Sequence, residues 1–182
     1  DFYSEDPMGA GVGVDGQGNL WVADRGNGRV LRFPNMDPAG NPTTVLSESH
    51  YPSSRADVVL GQDVFNTKVT ITSDTLRSDY EHLQYPVAVR VDSDGRVFVL
   101  DSRVGEGSDK YYGVLFVYVP MPGLDAYGRF QYQNGASPAT HLSDYLIQPH
   151  GLELDAPATY GTGGIWILDK HLQQLLLFVE DS

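Results

Sequence analysis

The sequence predicts an all-β protein assembled from like antiparallel units, and three observations carry that expectation. One pattern occurs three times: an apolar stretch ending in Asp, a Gly-bearing turn, and a second apolar stretch ending in Asp. Its copies are GVGVDGQGNLWVAD over 11–24, AVRVDSDGRVFVLD over 88–101 and GLELDAPATYGTGGIWILD over 151–169. The 11 Tyr and 20 Gly, with no long 3.6-period apolar face, fit short strands and tight turns better than helices. Finally, the second stretches align column by column: Leu20, Val97 and Ile165; Trp21, Phe98 and Trp166; Val22, Val99 and Ile167; Asp24, Asp101 and Asp169. A repeated unit that cannot bury its own faces needs its neighbours, so the chain reads as an array.

Each element follows from local chemistry. In the first strands, Val12, Val89 and Leu152 stand two residues before Val14, Val91 and Leu154, the spacing that puts both side chains on one face of a pleated strand. The connections DGQGN, DSDGR and DAPATYGTGG carry Asp and Gly, which cap a turn or accept positive φ, and read as hairpins. A third strand is expected at RVLRF from Arg29, VLFVYV from Val114 and QLLLFVE from Gln174, making each unit a meander. A fourth, outer strand is expected at Asp57–Gly61 and, in the second unit, around Arg129–Tyr132, with Asn35–Pro52 and Pro120–Tyr127 as loops. Trp21, Phe98 and Trp166, at mid-strand, are expected to pack between units.

The stretch PMGAGVGVDGQGNLWVADRGNGRVLRFP, residues 7–34, resembles an NHL repeat: Pro, a Gly-led apolar strand, Asp, a Gly turn, an apolar strand, Ala-Asp, Asn-Arg and a third strand. The later copies keep Pro86 and Pro149, the paired Asp and the apolar columns, but lack the Asn-Arg element. The resemblance implies a β-propeller of four-stranded antiparallel blades, commonly six. Residues 1–182 would form one domain of three blades, approximately 7–62, 86–133 and 149–182. With no initiator Met and no outer strand after the third copy, the expectation is a segment of a longer chain; the alternative is a symmetric pair completing a six-bladed ring.

Composition excludes several functions. A formal charge of −12, with 12 scattered Lys and Arg, repels nucleic acid. No apolar run spans a bilayer, and the absence of Cys excludes disulfides, thiolate metal sites and thiol nucleophiles.

Chemistry is expected where strands two and three join, because those loops share a rim with the segments leading into each unit. Asp24, Arg25, Asn27 and Arg29, then Asp101 and Arg103, then Asp169 and Lys170, with His150 beside them, would form a mixed-charge binding face. Glu106, Asp109, Tyr111 and Tyr112 in an insertion would extend it. The competing expectation is structural: an Asp closing a strand accepts backbone N–H bonds, and a nearby Arg pairs with it. His150, in PHGLELD, is the candidate metal ligand. Peptidyl-amidating lyases, propellers similar to NHL repeats, hold zinc with His from separate blades, but Val87 and Met8 stand at the equivalent positions here. DSDG at 92–95 resembles a calcium loop but lacks the later acidic ligand and reads as a turn. The expected function is a non-catalytic NHL-repeat propeller segment without cofactor, binding a protein or glycan partner, or further copies or segments that complete the ring. The resemblance implies a secreted, extracellular or periplasmic setting. The alternative is a metal-dependent lyase or hydrolase using zinc or calcium.

Overall fold

The computed structural model describes residues 11–69, 78–104, 111–142, 146–155 and 164–179. Among these every regular element is a strand, except for a 3-10 turn at Arg25–Asn27. The first sheet uses β1 (Val12–Val14), β2 (Leu20–Asp24) and β3 (Arg29–Phe33). A small hairpin, β4 (Asn35–Met36) with β5 (Tyr51–Pro52), interrupts the chain before β6 (Val58–Leu60) returns to pair with β3. β6 falls within the stretch expected for it.

The second sheet contains β7 (Pro86–Val91), β8 (Val97–Val104) and β9 (Tyr111–Tyr118). Its outer strand differs from the expectation. Arg129–Tyr132 does not join β9; β10 (Met121–Leu124) and β11 (Phe130–Gln131) pair with each other, and β12 (Thr140–Leu142) forms the edge. The reason is a second turn of the same kind, DAYGR, which folds 121–131 into its own hairpin before the chain can return to the sheet. The third sheet has β13 (Pro149–Leu154), β14 (Ile165–Asp169) and β15 (Gln174–Phe178). Pro7, Met8, Glu106 and Asp109 lie outside the described residues.

Among the described residues one hairpin turn occurs four times. In Asp15–Asn19, Asp37–Asn41, Asp92–Arg96 and Asp125–Arg129, the fourth residue is Gly18, Gly40, Gly95 or Gly128, with φ of 81°, 83°, 78° and 76°. Each Asp carboxylate accepts the N–H of the residue four positions on, at 2.8 or 2.9 Å. Only Gly takes this φ without strain, and only a short carboxylate reaches back across the turn.

The three sheets stack face to face, and strand alternation sets the contacts. Val97 and Val99 of β8 join a buried cluster with Trp21, Ala23 and Val30 of the first sheet. Phe98 and Leu100, pointing the other way, join Leu152 and Ile167 of the third. Trp21 and Phe98 are therefore inter-sheet residues as expected, while Trp166, at their column, is half-buried on the far face of the third sheet. The innermost strands β1, β7 and β13 converge. A Cβ at Gly13 would stand 2.7 Å from the Val89 carbonyl oxygen, and one at Gly11 would overlap that of Val87. The Gly-led first strand is thus a requirement of close approach.

The segment after β11 ties the first two sheets together. Tyr132 packs edge-on against Trp21, with ring centroids 5.3 Å apart, and its hydroxyl donates to the Gly95 carbonyl at 2.6 Å. Asn134 Oδ1 accepts the Val59 N–H at 2.9 Å, and the Gly135 N–H donates to the Val59 carbonyl at 3.2 Å, so this segment caps the outer edge of β6. Beneath it Arg32, 4% exposed, makes a bidentate pair with Asp57 at 2.9 Å.

Candidate functional site

The turns joining the second and third strands lie beside the segments leading into the sheets, and the residues expected to form the rim divide by burial into two groups. At the end of β2, Asp24 receives both the Asn27 amide, at 2.9 and 3.0 Å, and Arg29 Nε at 2.7 Å. The intervening 3-10 turn closes on Gly28 at φ 61°. Gln62 Nε2 donates to the Gly28 carbonyl at 2.8 Å, and Lys68 Nζ to that of Gly26 at 2.6 Å. Arg29 also donates to the Phe65 carbonyl. Arg25 lies over the Tyr85 ring, 5.3 Å from its centroid, and so reaches from the first sheet to the segment leading into the second. This half of the rim is accessible: the Asp24 and Arg29 side chains are 24% and 19% exposed, and Asn27 is exposed.

Asp101, Arg103 and Asp169 are 0% exposed. Asp101 accepts the N–H groups of Gln84 at 3.0 Å and Tyr85 at 2.7 Å, together with Arg103 Nε at 3.0 Å. Burial pushes its carboxyl above the ordinary carboxylate range, against the opposing pull of the Arg103 guanidinium and the N–H donors. Arg103 continues to the His82 carbonyl at 2.8 Å and lies over the Phe116 ring. Asp169 accepts N–H bonds from Ile147 at 2.8 Å, Gln148 at 3.1 Å, His171 at 3.0 Å and Leu172 at 3.1 Å. In both sheets the strand-closing Asp therefore staples the two residues before the leading Pro, Pro86 or Pro149, onto the end of the second strand. That arrangement is the structural alternative weighed for these Asp, and it holds three of the rim candidates inside the protein.

Lys170 is exposed at the same end, and its N–H donates to the Gln148 carbonyl at 3.0 Å. His150 is half-buried at the start of β13, with Nδ1 3.1 Å from the Gln148 carbonyl, so Nδ1 carries the proton and donates. Among the described residues no three His, Asp or Glu side chains converge to hold a metal ion. Sequence reasoning missed His82, whose Nδ1 lies 3.1 Å from Asp79 Oδ2 and whose Nε2 lies 3.8 Å from Asp63. Partial burial works to raise Asp79, but the His82 and Glu81 N–H groups and the His82 ring hold its carboxyl below the ordinary range. The signal was present as an Asp-x-x-His spacing just before β7, which lets the carboxylate accept the His82 N–H and reach its ring.

At the opposite end of the inner strands, where the first and second strands of each sheet are joined, lies a cavity of about 740 Å³. It lies against β1, the β7–β8 turn and the adjoining ends of β13 and β14, elements far apart in the sequence.

Residues 10–33 match the family model described as the NHL repeat. No curated protein matches the chain.

Proposed function

We propose that the chain is a segment of an NHL-repeat β-propeller that acts as a non-catalytic scaffold and presents the accessible rim to a protein or glycan partner outside the cytoplasm. NHL repeats form propellers used as protein-binding scaffolds, and the repeat matched here is the one whose Asp24–Asn27–Arg29 cluster builds that rim. The observation that carries the reading is the alternation along β8, where consecutive residues face different sheets, as blades in a ring require. The third sheet leaves Leu168, Leu175 and Leu177 exposed on its far face, at 49%, 61% and 39%. Trp166 and Leu168 occupy the columns that, as Trp21 with Ala23 and Phe98 with Leu100, pack against a following sheet. Three blades out of six, completed by further segments or by a second copy, account for that face.

A zinc- or calcium-dependent lyase or hydrolase would need ligands to join His150, and nothing in the described geometry favours it over the scaffold. Partner selection is tested by screening the intact chain and the rim variant Arg25→Glu/Lys170→Glu against the same displayed peptides and glycans. A ligand held by the intact chain and lost by the folded variant supports the scaffold reading. Equal binding to both, or turnover dependent on a metal retained by His150, contradicts it.

A further inference from the structure

We propose that the cavity at the turn end of the inner strands takes the lysine or arginine side chain of an extended peptide partner. The site stands apart from the rim assigned above. Its volume of about 740 Å³ falls within the usual range of ligand sites, roughly 300–1,000 Å³.

Charge decides the class of occupant. Among the described residues the lining carries four carboxylates, Asp92, Asp94, Glu153 and Asp155, against two guanidiniums, Arg90 and Arg96, a formal balance of 4 − 2 = 2 negative charges. Both guanidiniums are already engaged by carboxylates of the same lining: Arg90 with Glu153 at 3.2 Å and Arg96 with Asp92 at 2.6 Å. An anion would have to displace a carboxylate from an Arg inside walls that remain negative. A cation meets no such obstacle, and the chain's formal charge of −12 draws it in.

Shape and polarity refine the class. Phe98, Leu154 and Ile165 give the cavity an apolar side, and Val14 stands beside them 69% exposed. A methylene chain against those groups, with its charged head among the carboxylates, satisfies both surfaces at once. The third wall favours a peptide over a free amine. β1 is the terminal strand of its sheet and lies along the cavity, with Arg90 Nη1 donating to its Val12 carbonyl at 3.2 Å, so an extended segment can run beside that edge by taking over the Arg90 contact.

The test is an NMR titration of the full 182-residue chain with acetyl-Val-Ala-Lys-Ala-Val-amide, its norleucine and Glu counterparts, and n-butylamine. The Lys peptide is expected to shift the Gly13, Asp94 and Gly164 amides. Asp94→Asn, which changes an exposed turn residue, should weaken it about fourfold, the factor for one unit charge about 5 Å away in a water-like dielectric. Val14→Lys places a competing ammonium at the cavity and should abolish the shifts. Equal affinity for the norleucine or Glu peptide, equal affinity for n-butylamine, no shift at millimolar peptide, or indifference to both folded variants would overturn the assignment.

Discussion

Truncating Asp101 separates a structural staple from a ligand-binding rim residue, and the structure sets the size of the effect. Asp101 and Arg103 are both 0% exposed, and the carboxylate satisfies Arg103 Nε and two backbone N–H groups. Asp101→Ala leaves a buried guanidinium without its counter-charge, a change that costs about 3–5 kcal/mol. Asp101→Ala/Arg103→Met removes the stranded cation too, but leaves the Gln84 and Tyr85 N–H groups without the carboxylate, at about 1 kcal/mol each. The single variant should therefore lose about 4 kcal/mol and the double about 2 kcal/mol. For a chain of this size, that corresponds to falls in Tm of about 12 and 6 °C. Urea unfolding followed by far-UV circular dichroism measures both. A single-variant loss below about 1 kcal/mol, or a double variant no more stable than the single, would refute the staple.

Three further outcomes are expected. Gly13→Val puts a branched side chain against the Val89 carbonyl and should destabilise by about 2 kcal/mol or more, read as loss of amide protection in β1 and β7; unchanged protection would contradict the close approach. Tyr118, 1% exposed, has no hydrogen-bond partner for its hydroxyl among the described residues, so Tyr118→Phe should raise stability by about 1 kcal/mol, and a fall would count against that environment. Asp37 is held below the ordinary carboxylate range by N–H bonds from its turn; Asp125 is too, where the Arg129 and Tyr127 donors outweigh partial burial. Carboxyls lowered in the folded state stabilise it above their unfolded pKa of about 4 and lose that contribution as pH falls through the lower folded values. The Asp37–Asn41 turn, with its Thr43 N–H bond to the Asn35 carbonyl, and the β10–β11 hairpin should accordingly lose protection below about pH 4, and protection unchanged at about pH 2.5 would be the contrary result.

What the sequence made legible follows from which interactions are local. Period-two alternation and the aligned Asp columns act within a few residues, and they located β1–β3, β7–β9 and β13–β15 closely. The same Asp-x-x-Gly-Asn/Arg signature also stood at DPAGN and DAYGR, and reading it as a hairpin there would have found the Met36–Pro42 pair and β10–β11, though not β5, which returns to β4 only at Tyr51–Pro52. β12 was missed because an outer strand is defined by its return to β9 across an intervening hairpin, which no local pattern records. Asp24, Asp101 and Asp169 look alike in sequence, yet Asp101 and Asp169 are sealed under Gln84–Tyr85 and Ile147–Gln148, while Asp24 takes the Asn27 amide and Arg29 of its own turn. The cavity was invisible for a related reason: Val14, Arg96 and Glu153 meet only after three sheets have stacked.

Methyl and aromatic NOEs to β8 test the stacking directly. The account predicts that Val97 and Val99 show cross-peaks to Trp21 and Val30, while Phe98 and Leu100 show them to Leu152 and Ile167. If all four residues instead contacted a single partner sheet, the alternating arrangement, and with it the propeller reading, would be contradicted.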